Sequence, residues 1–572
     1  MIEIFFFSLL SSVYYISAGI FFSNKILDQK IDINSNIYKY VLYGGILLGF
    51  LALILNFFVN LGKNTNTLVV IIFITYVIFS QKIIILKKIL LASLIIAFSC
   101  SILLSYENTY RPDAGLYHLP FINILNNEKI IIGLSNIHFR FGHTSIAQYL
   151  SALNYNWILS DKGIVLPSAL IYLSFLFYLI NEIKNTTNKN ILLFNLLLFS
   201  FLCFKLNRYS DFGNDAPAHI YYFFLTSLAL NYYENMNKER MGEIIGLSAY
   251  LIFNKITLFL GSMVSLVFLF FKKQIFYFKA KLIIFVTIFT FAFFLKNFLI
   301  SGCIAFPIEK TCISDAYWFD AREPGQSIAK ITMLENEAWT KGWVDQKKDI
   351  KNFEEYLSDY KWIKIWAINH GQRTINKLIP FLTFVVIIFL TILVTKNVHK
   401  KISKKKNKSS QKRLFYYLLF LNFLGIILWF IKFPVFRYGY SYIILFIIFL
   451  IIIILFNKIK LIDMTNFKKK VNYFLIFAIF ILISKNFIRI ASNYNSIYFS
   501  TPWPKIYSDN KMNNEQENIP IIINEKIAFY YSNDSLCYYN TPPCTHILDS
   551  RINKGKFKFE KKHGYKIFYY TK

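Results

Sequence analysis

The sequence predicts an all-α polytopic membrane protein of about 13–14 transmembrane helices with a small strand-containing tail at its C-terminus. Three observations predict this class. Of 572 residues, 55% are hydrophobic and only 17% charged, whereas a soluble chain carries about 25% charged residues and at this length divides into several polar-surfaced domains. Apolar runs recur almost throughout: 2–22, 41–61, 89–104, 164–183, 191–204, 220–233, 282–300, 378–394, 414–431, 440–456 and 473–483. Many approach the roughly 20 residues that cross the hydrocarbon core as a helix. Finally, the net charge of +31 sits mainly in short connections between these runs, above all 399–413 (HKKISKKKNKSSQKR) and 457–470. Short Lys/Arg-rich connections stay on the cytoplasmic side of a membrane. The partners this implies are the lipid bilayer and its anionic headgroups, not nucleic acid.

In chain order, MIEIFFFSLLSSVYYISAGIFF lacks a basic leader and a small-residue cleavage site, so it reads as a retained first helix. Anchoring 399–413 in the cytoplasm places 81–88, 184–189, 237–240, 271–281 and 457–470 inside. The N-terminus and the connections 106–163, 206–216, 302–377 and 433–439 then lie outside. The segment 244–270 reads as one long helix or two short ones. A lone Lys255 in mid-span is costly, a turn there brings it to the outer face, and the pair is preferred because it keeps more of the basic connections inside. The resulting divisions are 1–105 (helices), 106–163 (an outer loop with amphipathic helices), 164–301 (helices, including the broken pair), 302–377 (a second outer loop), 378–487 (helices) and 488–572 (tail). In the tail, short β-branched and aromatic runs at 519–523, 527–531 and 565–570 alternate with Asn, Asp, Ser and Pro, which predicts strands in a small outer appendage. Bacterial inner-membrane localisation follows, with both termini extracytoplasmic.

Cysteine usage agrees with this arrangement. Cys303 and Cys312 share one outer loop, Cys537 and Cys544 share the tail, and Cys100 and Cys203 fall within spans. Local bridges 303–312 and 537–544 are expected on the oxidising side. There is no CxxC, HExxH, Walker or dinucleotide motif, so no cofactor is expected, and the residues present do not support a divalent metal.

The chemistry-bearing stretch is 106–154, where Glu107, Arg111, Asp113, His118, His138, Arg140 and His143 form a polar island between apolar spans. Ionisable groups persist beside a bilayer when they pair or line a wet cavity. Asp113 precedes the amphipathic run 114–125 and suits an N-cap, a role compatible with catalysis because capping fixes the carboxylate. His118 lies about one turn further on, near enough to tune Asp113 or relay a proton. Further polar groups of the outer face are Asp211 and Asp215, Lys255, Lys296, Arg437 and Tyr438. Asp211 and Asp215 fit one helix face, or a helix start with Pro217 beside it. Lys255 and Arg437 fit phosphate ligands, or cations snorkelling to headgroups. Acid on one segment facing cations on others suits transfer from a phosphate-bearing donor, with a carboxylate accepting the acceptor's proton and cations neutralising the leaving phosphate.

These stretches carry a resemblance. Asp113-Ala114-Gly115-Leu116-Tyr117 resembles the acidic motif, often D-E-x-x-Y, that opens the first outer loop of the GT-C superfamily of polyprenyl-phosphate-sugar-dependent glycosyltransferases, with Ala114 at the usual second acid. IGLSAYLIFNKITLFLG resembles that superfamily's paired short helices, with Lys255 at their junction. FPVFRYGYSYI resembles its late outer segment, with Pro434, Arg437 and Tyr438. DAGLYH, GLSN-H-RFG, NDAPAH and the PPC-containing tail resemble an uncharacterised bacterial GT-C-like membrane family. The resemblance implies an inverting sugar transfer from a polyprenyl-phosphate-linked donor to a cell-surface glycan or lipid acceptor. Asp113 would be the base, assisted by His118. Arg111, Tyr117, His138, Arg140, Asp211, Asp215, Lys255, Lys296, Arg437 and Tyr438 would bind donor or phosphate. A surface-polysaccharide polymerase or ligase would use a similar loop. A transporter or flippase would instead place ionisable groups at mid-membrane in several spans and show internal repeats, which the sequence does not display.

Overall fold

The computed structural model describes the whole chain except residues 32–35, 108–111, 144, 206–208, 211, 267, 269–278, 321–326, 344–349, 396–407, 495–500, 508–517, 533–535 and 572. Among the described residues, ten helices are long and apolar enough to cross a bilayer, from Ile2–Ile26 to Met464–Tyr494. Lys189–Lys205, Asp215–Tyr232 and Lys238–Asn254 are helices of 17 or 18 residues in the same bundle, and the short apolar helix Ile256–Ser265 follows the last of them. The architecture is that of a multi-pass membrane protein. Many of the long helices expose Phe, Ile and Leu over much of their length, as at Phe79, Phe98, Phe291 and Phe480. In water those faces would cost about 25 cal/mol per Å²; against lipid tails they cost nothing.

Close helix contacts set the bundle's centre. Ile2–Phe21 packs on Lys39–Phe58, where Gly19 and Gly44 let the two backbones touch. A Cβ on Gly19 would fall on the carbonyl of Tyr40, and one on Gly44 on that of Tyr15. This is the small-residue packing that membrane helices use where no hydrophobic force distinguishes neighbour from lipid.

Connections gather at two ends. At one, Glu3 pairs with Lys162 at 2.8 Å, Phe57 accepts from Tyr565 at 2.7 Å, the amide of Gly133 donates to Leu299, and Arg489 donates to the carbonyls of Ile102 and Ser105. At the other, Lys279 pairs with Asp28, Asn36 donates to Glu182, Lys468 to the carbonyl of Lys184, and Lys470 to Thr395. Of the basic connections expected on one side, 184–189 thus meets 457–470, and 237–240 meets Lys279, while 399–407 lies outside the described residues. The polar island lies at the opposite end. Glu243, buried against the hydroxyls of Tyr43 and Tyr232, marks the basic end of the helix that reaches Lys255 about three turns later.

The tail contains the expected strands and corrects the expected appendage. Asn518–Ile523, Lys526–Ser532 and Cys544–Thr545 form one sheet, and Phe557–Lys562 and Tyr565–Tyr570 a second. Neither stands apart. Ile132 bridges to Ile567, Asn136 donates to the carbonyl of Phe568 at 2.8 Å, Tyr539 donates to Asn126 at 2.9 Å, and Lys566 pairs with Glu128 at 2.7 Å. Gly133, at φ +68°, lies so close to Phe568 that a Cβ would strike its carbonyl oxygen. The tail's aromatic faces find their apolar partners in the 106–163 loop, and Phe529, Phe557 and Phe568 join the main core.

Candidate functional site

Asp113 sits in helical backbone (φ −55°, ψ −32°) just before Ala114–His118, five residues wound as a π-turn, after which Leu119–Asn127 continues as α-helix. Its side chain makes no capping bond, which corrects the N-cap expectation. Helical φ/ψ turns the carboxylate outward, away from the amides a cap would need. It accepts instead from Arg437 Nη1 at 2.8 Å. Single π-turns within helices recur at functional sites because they re-aim side chains. Burial alone would raise the pKa of Asp113, but the guanidinium of Arg437 outweighs it and holds the carboxyl below its ordinary range, with His118 and Arg140 adding to the effect.

Arg437 enters from the first turn of Phe436–Leu461. Its Nε lies 3.7 Å from Asp215 Oδ2, and Asp215 also pairs with Lys255. Asp215 is the first residue of Asp215–Tyr232, so the helix-start expectation holds and the carboxylate also joins the site. Lys255 lies where Lys238–Asn254 ends, in extended backbone (φ −154°, ψ 107°) before Ile256–Leu258. The break carries its ammonium into the bundle rather than out to lipid. The ammonium lies 3.4 Å from the carbonyl of Arg437 and 4.4 Å from the ring centroid of Tyr438. Tyr438 accepts from Arg437 Nη2 at 3.2 Å and stacks under its guanidinium. His219, one turn beyond Asp215, donates from Nε2 to the carbonyl of Arg437 at 2.9 Å and meets Ser441 at 2.7 Å. Acid, cation, acid, cation thus alternate in one chain of contacts drawn from four distant segments. Only 7% of Lys255 is exposed, so its charge depends on these partners.

Beside this chain, three buried polar groups have no hydrogen-bond partner among the described residues: both amide atoms of Asn254, Thr257 Oγ1 and Arg437 Nε. Buried polar groups are almost always satisfied, and an orphan at a site marks where water or a ligand belongs.

The rest of the polar island divides. Tyr117 lies under the guanidinium of Arg140 at 5.2 Å, and His118 meets Gln148 at 3.0 Å, both next to Asp113. His138 turns away: its Nδ1 accepts from the amide of Arg140, and its ring faces His546 of the tail at 4.8 Å. His143 meets Asn336 at 3.1 Å. Glu107 accepts from the amides of Tyr209 and Ser210 and from the Ser210 hydroxyl, tying two loops together. Lys296 is buried over the ring of Phe293, close enough to His143 for their charges to interact, and is not a ligand in the Asp113–Lys255 chain of contacts. Arg111 and Asp211 lie outside the described residues. Cys303–Cys312 and Cys537–Cys544 are bonded as expected, and Cys100 and Cys203 are free and buried.

Two contributions were missed from the sequence. The helix Ile328–Thr340, in the connection 302–377, lays Trp339 over Arg437 at 5.3 Å. Tyr538 of the tail donates its amide to the carbonyl of Gly115 at 2.8 Å, and its ring lies where a Cβ on Gly115 would meet it at 3.1 Å. An ordinary aromatic in a loop carries no sequence signal of this kind. The only trace was the two cysteines flanking Tyr538, which announce a pinned turn.

No curated protein and no solved structure shows significant similarity to the chain. One family model matches residues 1–444, a range that holds Asp113, Asp215, Lys255 and Arg437 and ends before the tail. The chain belongs to that family, described as a domain of unknown function, DUF8201.

Proposed function

We propose that the protein is an integral-membrane glycosyltransferase that moves a sugar from a polyprenyl-phosphate-linked donor to a glycan or lipid hydroxyl at the extracytoplasmic face of a bacterial inner membrane. The observation that carries this reading is the Asp113–Arg437–Asp215–Lys255 chain of contacts, flanked by the orphaned groups of Asn254, Thr257 and Arg437. The GT-C resemblance of the same residues supports it, and so does their place at the end of the bundle away from the basic connections.

In this mechanism Arg437 takes the donor phosphate as a bidentate fork and Lys255 as a point charge. Arg437 then gives up part of its hold on Asp113, whose carboxylate becomes more basic when the acceptor arrives. The acceptor oxygen attacks the anomeric carbon and the carbon–oxygen bond to phosphate breaks. The acceptor proton passes to Asp113, and polyprenyl phosphate leaves with the electron pair, its charge met by the two cations. Asp215 holds Lys255 and Arg437 at one spacing and does not itself react. Attack opposite the leaving phosphate inverts the anomeric centre.

The test is Asp113→Asn, expressed at the wild-type level in a strain lacking the native gene, with surface-glycan composition and lipid-linked sugars measured. Loss of one glycan feature with accumulation of its lipid-linked precursor is expected. Unchanged glycan would reject the catalytic role.

A further inference from the structure

The helix Ile328–Thr340 is too short and too charged to cross a bilayer, yet it presents a Trp that is 42% exposed. Trp residues that anchor membrane proteins at the interface direct their rings toward lipid headgroups. Trp339 instead places its ring against the guanidinium of Arg437, the group that joins Asp113 to Asp215. His370 braces it edge-on at 5.9 Å and meets its carbonyl at 3.3 Å. On the same helix, Asn336 meets His143, and the charge of Glu335 acts on Arg140, which stacks on Tyr117. Glu335, Asn336, Trp339, Arg140, Tyr117 and His370 are each at least partly exposed. One rim of the site thus combines a flat aromatic face with amide, carboxylate, guanidinium and imidazole groups around it.

That combination fits a pyranose ring. One face of a pyranose carries axial C–H bonds, apolar and slightly positive, which pack on the electron-rich face of an indole. Its hydroxyls project from the ring edge, each able to donate and accept, and match planar side chains set around the platform. A phosphate alone would use Arg437 and Lys255 but has no use for an indole, and a lipid tail has no use for Asn336 and Glu335. We infer that Trp339 is the platform on which a sugar ring of the substrate stacks, and that Asn336 and Glu335 read its hydroxyls. The inference rests on the glycosyltransferase reading for which sugar is meant, donor or acceptor. The stacking itself needs only the rim.

The test is saturation-transfer NMR on the full chain in lipid nanodiscs, with methyl β-glucopyranoside, methyl β-galactopyranoside and glucose 1-phosphate as probes. Saturation concentrated on the axial ring protons is expected for wild type and for Asp113→Asn alike. Trp339→Ala should weaken binding by about fivefold, the equivalent of one aromatic stacking contact, and Trp339→Phe should restore most of it. A preference for glucose 1-phosphate that disappears in Arg437→Gln assigns the platform to the donor sugar, and equal binding of the neutral glycosides assigns it to the acceptor. No saturation of any probe in wild type, or undiminished binding in a folded Trp339→Ala, would overturn the platform. Binding that depends on Trp339 with no glycan change in Asp113→Asn would overturn the catalytic reading and leave the platform standing.

Discussion

Lys255→Met tests the chain of contacts at its most buried member. The substitution keeps the stem's volume and removes only the ammonium. In the wild type that ammonium is bonded to Asp215, lies 3.4 Å from the carbonyl of Arg437 and faces the ring of Tyr438. Breaking a buried pair by deleting one partner costs about 3–5 kcal/mol, because the other charge is left behind. Here Asp215 keeps Arg437 at 3.7 Å, so the lower end applies, about 3 kcal/mol. Asp215→Asn alone takes the carboxylate away from the same buried ammonium and should cost a similar amount. In the double variant neither charge is stranded, so the combined loss should fall short of the sum by about 1–3 kcal/mol. Equilibrium unfolding in mixed micelles measures all three. Additive losses, or a Lys255→Met loss under about 0.5 kcal/mol, would mean that Lys255 reaches headgroups and that the alternating charges are not coupled.

Three further outcomes follow from particular contacts. Arg437 holds the Asp113 carboxyl below its ordinary value near 3.8, so the stability and the basic form this pairing supplies are present above that value and are lost only as pH falls through the lowered one. Transfer measured against pH should therefore be flat on this group from 5 to 8, and Arg437→Gln should lift its acid limb by about 1–3 units. Gly115→Val should crowd the Tyr538 ring, which a Cβ already meets at 3.1 Å. A cost of about 1–3 kcal/mol is expected, with faster amide exchange confined to 112–118 and the facing tail residues. Replacing Cys537 and Cys544 by Ser opens a loop of sequence separation 7. That should remove about 2.5 kcal/mol by chain entropy, and alkylation of the unfolded, unreduced wild type should label Cys100 and Cys203 only.

Much of the site was legible because of cost. A lysine or arginine inside an apolar run needs a partner, and that reasoning selected Lys255 and Arg437; together with the placement of the basic connections it put a helix break at Lys255. Disulfide pairing was legible because each pair lies within ten residues of its partner. The Asp113 cap was misread because a cap and a π-turn share the same local residues. Only Arg437, far along the chain, decides where the carboxylate points. The division of the polar island was also hidden. His138 and Glu107 look equivalent to Asp113 in sequence, and only the approach of His546 and Ser210 separates them. The tail's strands were readable from their alternation, but their docking depends on surfaces such as Gly133 and Asn136, whose partner at Phe568 is 432 residues away.

That distance has a consequence for biogenesis. The turn bearing Asp113 is synthesised long before the strands and Tyr538 that brace it. Until those segments follow and Cys537 finds Cys544, the early turn lacks their backing. Long-range closures of this kind form late. A nascent chain that stops short of Tyr538 would leave the Asp113 turn without its brace, however well the helices before it have packed.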